Sequence, residues 1–171
     1  IVNTNAQFLS EELAKLGIDV HYQTVVGDNR KRLEHVIRHA NGRADVIILS
    51  GGLGPTDDDL TRDVVSEVTG VPLVMHPPSL SRLKDFFERR GRSMTENNRK
   101  QALVFKGGTV FPNENGTAPG LAVEANACHY VLLPGPPREL KPMFRKHVIP
   151  YFRRLLPSEE VVHSRVLRFF G

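Results

Sequence analysis

The residues with the clearest chemical potential run from Gly51 to Thr61, Gly-Gly-Leu-Gly-Pro-Thr-Asp-Asp-Asp-Leu-Thr. Glycines at 51, 52 and 54 allow the backbone to approach a ligand closely and to turn its N–H groups toward it. A helix is predicted directly afterwards, with Leu60, Val64, Val65 and Val68 on one face. Its unpaired first-turn N–H groups and positive dipole end would attract an anion. Asp57, Asp58 and Asp59 would repel that anion unless a cation lay between them. Mg²⁺ is commonly held by one or two carboxylates together with substrate phosphate oxygens, so the pattern suggests a metal-bridged phosphate or diphosphate. The same acids could also cap the helix and favour its dipole. Neither Gly-Lys-Ser/Thr nor Gly-x-Gly-x-x-Gly is present in the run, which separates it from the common nucleotide loops.

Three further segments are polar enough to join such a site. Asn113 to Gly120 reads as a turn between strands. Leu133-Pro134-Gly135-Pro136-Pro137-Arg138-Glu139-Leu140 reads as a strand passing through a stiff loop into a helix. Glu96 to Gln101 reads as a polar helix face. Other chemistries find less support. His35 and His39 stand at i, i+4, a spacing that can bind zinc, but no third ligand accompanies them. Cys128, the chain's one cysteine, lies in an apolar run and reads as a small buried residue rather than a nucleophile. It allows no internal disulfide, which fits a reducing cytoplasm.

A βαβ-type scaffold would position these loops. A first helix capped by Asn3 or Thr4 is expected to end at Gly17, followed by a strand over Ile18 to Val26. A second helix, capped by Asp28 or Asn29, carries Leu33, Val36, Ile37 and Ala40 on one face. Ala44 to Leu49 has the continuous apolar character of a buried strand. Helices are predicted from Pro77 to about Gly91 and from Thr95 to Leu103. Short strands are predicted at Thr109 to Phe111, Leu121 to Val123 and Tyr130 to Leu133. A long helix begins at Pro136-Pro137, with a kink expected at Pro150. With 40% apolar and 25% charged residues in 171, the chain suits one folded domain. The net charge of +4 is dispersed and reads as a solvated basic surface, not a nucleic-acid site. No apolar stretch approaches the ~18 residues of a membrane span.

Taken together, these runs resemble the CinA family. The resemblance is carried by Gly51-Gly52-Leu53-Gly54-Pro55-Thr56-x-Asp58-Asp59-x-Thr61-Arg62 and by Arg90-Gly91-Arg92 with Thr95-Glu96-Asn97-Asn98-x-Lys100-Gln101-Ala102. Asn115-Gly116-Thr117-Ala118-Pro119-Gly120, Leu133-Pro134-Gly135-Pro136-Pro137-x-Glu139-Leu140 and the opening Val2-Asn3-Thr4-Asn5 complete it. It spans nearly the whole chain and extends more distantly to MogA-type molybdopterin-binding domains. The family's first strand precedes Ile1. Phe105 stands where the family often has Pro, and Leu121 where it often has Phe.

The resemblance implies a three-layer α/β/α fold with a mostly parallel central sheet over residues 1–157. Residues 158–171 would be a linker or the start of a further small domain. It also implies metal-dependent hydrolysis of ADP-ribose, or a related nucleotide, at its pyrophosphate. In that reading Asp58 and Asp59 hold a divalent metal such as Mg²⁺, and Lys100 joins them as a catalytic group. The Gly51, Gly52 and Gly54 region supplies amide donors, while Arg62, Lys100 and Arg138 neutralise phosphate. Asn115, Gly116 and Thr117 position the sugar or the second phosphate. Thr56, Thr61, Asn98, Gly135, Pro136 and Glu139 complete the phosphate and substrate contacts. A monovalent cation is a further candidate ligand. The implied setting is cytoplasmic, with a homo-oligomer (dimer or trimer) and neither nucleic acid nor membrane as partner. Two alternatives remain: a molybdopterin-binding or adenylylating protein, and a nucleotide-binding module without turnover.

Overall fold

Asn3 accepts a hydrogen bond from the Ala6 N–H through its side chain and so starts α1 (Thr4–Ala14). Asn29 does the same for the Arg32 N–H at the start of α2 (Arg30–Asn41). Both use a short side-chain oxygen to satisfy a first-turn donor. The computed structural model describes residues 3–156. The β-prone Val161 to Phe170 and the expected linker 158–171 lie outside the described residues.

After α2 the chain forms β1 (Val46–Ser50), α3 (Thr61–Thr69), β2 (Leu73–Met75), α4 (Pro77–Glu88) and α5 (Glu96–Arg99). A short 3-10 turn, Lys100–Ala102, leads into β3 (Leu103–Phe105), β4 (Thr109–Phe111), β5 (Gly120–Ala125) and β6 (Cys128–Leu133). The chain then runs through α6 (Pro137–Met143), a π-turn (Phe144–Val148) and α7 (Ile149–Leu155).

The main sheet has the order β1-β6-β5-β4. It is mixed: β1 runs parallel to β6, with Val46 opposite His129 and Ser50 opposite Leu133. β5 is antiparallel to both β6 and β4. Strand alternation divides the side chains between two cores. Val46, Ile48, Ala122, Val131 and Leu133 face a core with Phe8, Leu13, Leu140, Phe144 and Phe152. Ile47, Leu49, Leu121, Val123, Tyr130 and Leu132 face the other, with Ile37, Val64, Val65 and Phe105. Helices α1, α6 and α7 thus cover one face and α2 and α3 the other, in the expected three-layer arrangement.

Three local expectations are corrected. Ile18 to Val26 forms no strand. Val20, Tyr22 and Val25 are exposed, Val25 to 85%. β-Branched residues favour strands mainly by packing against neighbouring strands, and β1 is a sheet edge that pairs only with β6 among the described residues. Leu103, assigned to a helix, instead opens β3, which forms a separate antiparallel pair with β2. The break expected at Pro150 falls one turn earlier, where the Ile149 N–H reaches back to the Phe144 carbonyl. Pro150 has no N–H to continue the ladder, and the wider π-turn absorbs the mismatch.

Two stability measurements follow from these details. The β5–β6 hairpin turns on Asn126 and Ala127, with φ of 54° and 57°. Asn tolerates this region, whereas Ala does not. Ala127→Gly is expected to raise unfolding stability by about 1 kcal/mol in urea titration. Glu12 is buried, which by itself would raise its pKa. Hydrogen-bonded ion pairs with Lys15 (2.8 Å) and Arg145 (3.1 Å) outweigh burial and hold it below the usual carboxylate value. Its stabilisation is present above the unfolded-state pKa and is lost as pH falls through the folded one. Glu12→Gln should therefore cost about 2 kcal/mol near neutral pH and flatten the acid limb of a melting-temperature profile.

Candidate functional site

Ser50 ends β1, and the chain then turns sharply through two glycines with φ of 97° and 69° at Gly51 and Gly52. The Gly51 N–H donates to the Leu133 carbonyl at 2.9 Å, which ties the turn to the end of β6. The Thr61 N–H donates to the Gly52 carbonyl at 3.2 Å, bringing the start of α3 against the turn. A Cβ on Gly52 would lie 2.1 Å from Thr61 Oγ1, so glycine is required there for both space and backbone conformation. Asp59 folds back across the loop. Its Oδ2 accepts hydrogen bonds from the Thr56 N–H at 2.9 Å and the Thr56 hydroxyl at 2.6 Å. That carboxylate leaves no room for a Cβ on Gly54, which would sit 2.5 Å away.

The loop stands open. Thr56, Asp57 and Asp58 are exposed, and Asp57 faces Lys100 Nζ at 4.0 Å across the rim. Lys100 follows α5, whose start is fixed by a capping box between Thr95 and Asn98. Asn98 Oδ1 accepts from both the Thr95 N–H and its hydroxyl, so the residue assigned to substrate caps the helix that places Lys100. Leu60 stands at the N-cap of α3 without a side-chain cap. With the Thr61 N–H taken by the Gly52 carbonyl, the Arg62 and Asp63 N–H groups are the first-turn donors left without a partner among the described residues.

The 113–118 loop is latched to α6. The Asn113 amide donates to the Ala118 carbonyl and to Glu139 Oε2, both at 2.8 Å. The Asn115 amide donates to the Arg138 carbonyl at 3.1 Å. Glu139 Oε2 would lie 2.1 Å from a Cβ on Gly116. Glu139 and Gly116 are thus in close contact, and this carboxylate is engaged in holding the loop. Thr117 is oriented by the buried Gln101, whose amide donates to its Oγ1 at 2.9 Å. Arg138 projects outward with its side chain 81% exposed. Gly135 lies against Gly51, with a distance of 3.5 Å from its Cβ position to the Gly51 Cα, and Pro136 follows it at the exposed mouth of the loop.

Asn5, Gln101 and Asn113 organise this rim; all three lie in segments the sequence singles out, but none is assigned an individual role there. The Asn5 amide donates to the Gly135 carbonyl at 2.7 Å and to Ser50 Oγ at 3.1 Å, joining the β1 and β6 loops to α1. These partners lie 45 and 130 residues away, beyond any spacing rule. Arg62, predicted as a phosphate contact, is only 4% exposed. Burial pushes its guanidinium below the ordinary value, partly offset by Asp63 and Asp59 acting through space. The rings of His35 and His39 stack on α2, and no group of three or more His, Cys, Asp or Glu residues suited to a metal occurs among the described residues. Cys128 is fully buried, and desolvation pushes its thiol up to about 11, unsuitable for a nucleophile.

Residues 1–154 match the family described as "Probable molybdopterin binding domain". The chain belongs to that family. Within it the likeness is to CinA proteins. A structure titled as the protein CinA, with unknown function, from Thermoplasma acidophilum shares 30% identity and a TM-score of 0.78, covering 88% of each chain. Among curated relatives, a "Putative competence-damage inducible protein" of Bacillus thuringiensis (strain Al Hakam) is 54% identical over 171 residues. One of the same name from Geobacillus sp. (strain WCH70) is 53% identical. The match covers all of this chain but 41% of each relative, so the chain spans about two-fifths of their length. The molybdopterin biosynthesis enzyme MoaB from Thermus thermophilus shares the fold at 19% identity and a TM-score of 0.58, covering 91% of this chain and 83% of that one.

The close approach at Gly52 can be measured against Gly70. Gly70 has a similar φ of 72° but open space around its Cβ position. Gly70→Ala should cost about 1 kcal/mol from backbone strain alone. Gly52→Ala should cost roughly 2 kcal/mol more, because Thr61 must also move. Chemical denaturation of both variants tests the difference.

Proposed function

We propose that this CinA-type domain hydrolyses the pyrophosphate bond of ADP-ribose, or a closely related nucleotide, in a divalent-cation-dependent reaction. One observation carries the reading: the glycine turn, the open amino end of α3 and the exposed acids Asp57 and Asp58 share one rim with Lys100. Anion-binding donors and cation-binding acids side by side suit a ligand whose phosphate oxygens are shared with a metal ion.

The acids fit that shared arrangement better than a cage made by protein alone. The Asp58 carboxylate makes no hydrogen bond or ion pair among the described residues, whereas one Asp59 oxygen is held by Thr56. Asp58 and the second oxygen of Asp59 would hold the ion together with the diphosphate. A bound ion of this kind withdraws charge from phosphate and acidifies a bound water. The Gly51 and Thr61 N–H groups are already bound to the Leu133 and Gly52 carbonyls, so the amides of Gly52 to Gly54 and those of Arg62 and Asp63 in α3 would serve as the fixed donors to phosphate oxygens. Lys100 would move from Asp57 onto phosphate, and Arg138 would approach from the opposite side as a flexible counter-charge. Asn115, Gly116 and Thr117, held in place by Glu139 and Gln101, would meet the sugar or the second phosphate. Addition of water across the P–O–P bridge of ADP-ribose yields AMP and ribose 5-phosphate, with one P–O bond broken and one formed.

A second reading, molybdopterin binding, is supported by the family description and by the fold shared with MoaB. Titrating a pterin phosphate against ADP-ribose would separate the two. For hydrolysis, Asp58→Asn and Asp59→Asn are each expected to lower turnover of ADP-ribose at least about 100-fold, with melting temperatures near wild type and a chelator abolishing wild-type turnover. Chelator-resistant hydrolysis, or unchanged rates in both variants, would rule this chemistry out.

A further inference from the structure

Arg62 is the least explained residue of the rim. It is 4% exposed, and its Nε is sealed from solvent without a hydrogen-bond partner. Its side chain forms no hydrogen bond or ion pair among the described residues, although a guanidinium offers five N–H donors. Asp59 and Asp63 act on it only through space, and Asp59 is already bound by Thr56. Burial of a charge without a partner is costly, and folded proteins normally satisfy it with a counter-ion or fixed acceptors.

The setting indicates what is missing. Arg62 is the second residue of α3, a nine-residue helix whose amino end has no side-chain cap. The preceding Thr61 is fastened to the glycine turn through the Gly52 carbonyl. The first turn of α3 thus carries a buried cation, Arg62, and the unpartnered N–H groups of Arg62 and Asp63, and both call for an anion. The acids beside them are not assembled into a metal site beforehand. Asp59 is engaged with Thr56, Asp57 leans toward Lys100, and Asp58 stands alone.

Resting on the diphosphate reading above, we infer that Arg62 and the amino end of α3 capture the diphosphate without a divalent cation, which joins afterwards through the bound phosphate. Arg62 is then an anion receptor beneath the turn, and the order of binding is anion first, metal second.

The test uses the full-length protein with inorganic pyrophosphate as probe, in excess EDTA, by isothermal titration and thermal unfolding. Wild type should bind pyrophosphate and melt at a higher temperature in its presence. Arg62→Met, which keeps side-chain length without charge, should bind at least about tenfold more weakly. Its ligand-free melting temperature should equal or exceed that of wild type, because the buried charge has no protein partner to lose. Arg62→Lys, charged but lacking the planar fork, should fall between the two in affinity. The inference fails if wild type binds pyrophosphate only when Mg²⁺ is supplied, or if Arg62→Met binds as wild type does. It also fails if ligand-free Arg62→Met is destabilised or changes oligomeric state on gel filtration, since the guanidinium would then be paired with protein or with a second copy. Absence of ADP-ribose hydrolysis in a protein that still binds pyrophosphate would overturn the proposed reaction and leave this inference standing.

Discussion

The site depends on one close approach, that of Gly52 to Thr61. With no side chain at position 52, the Thr61 N–H reaches the Gly52 carbonyl and the first turn of α3 lies directly against the loop after β1. That contact fixes where the helix begins, how the acids at 57–59 bridge the gap, and why Arg62 is carried inward. A larger residue at position 52 would meet the Thr61 side chain and push the start of the helix away from the end of the strand. The parallel pairing of β1 with β6 supplies the second anchor, because the Gly51 N–H ends that ladder on the Leu133 carbonyl.

Around this contact, the polar side chains of the rim divide by what they already touch. Asn5, Asn98, Gln101, Asn113 and Glu139 are committed to other parts of the protein. They hold three loops from distant parts of the chain in register. Asp58 remains outward, and Lys100 and Arg138 have only loose contacts at 4.0 Å, with Asp57 and Glu139 respectively. Such a division is expected of a preorganised site, in which a rigid frame carries a few groups free to meet a ligand.

Much of this frame was legible in the sequence. The cap positions, narrowed to Asn3 or Thr4 and to Asp28 or Asn29, the apolar run of β1 and the glycine turn follow from local chemistry, and the structure selects Asn3 and Asn29. The three-layer architecture followed from the resemblance and from strand–helix alternation. What escaped depended on distant partners. Ile18 to Val26 has the composition of a strand but no neighbouring ladder to complete. β2 and β3 are three residues each, too short to show a period. Glu139 and Asn98 sit inside motifs that look ligand-binding, yet their side chains face the protein, and only geometry distinguishes a latch from a contact. The burial of Arg62 was equally invisible, since charged residues at a helix start usually face water.

Cys128 illustrates how the two-sided sheet can be put to use. Its sulfur lies wholly within one of the two cores, at the start of the strand that joins them, and it is the chain's one thiol. A thiol-labelling reagent can reach it only when that core opens. The rate of modification in dilute denaturant is therefore a built-in gauge of how often the molecule breathes through its centre, obtained without adding a probe.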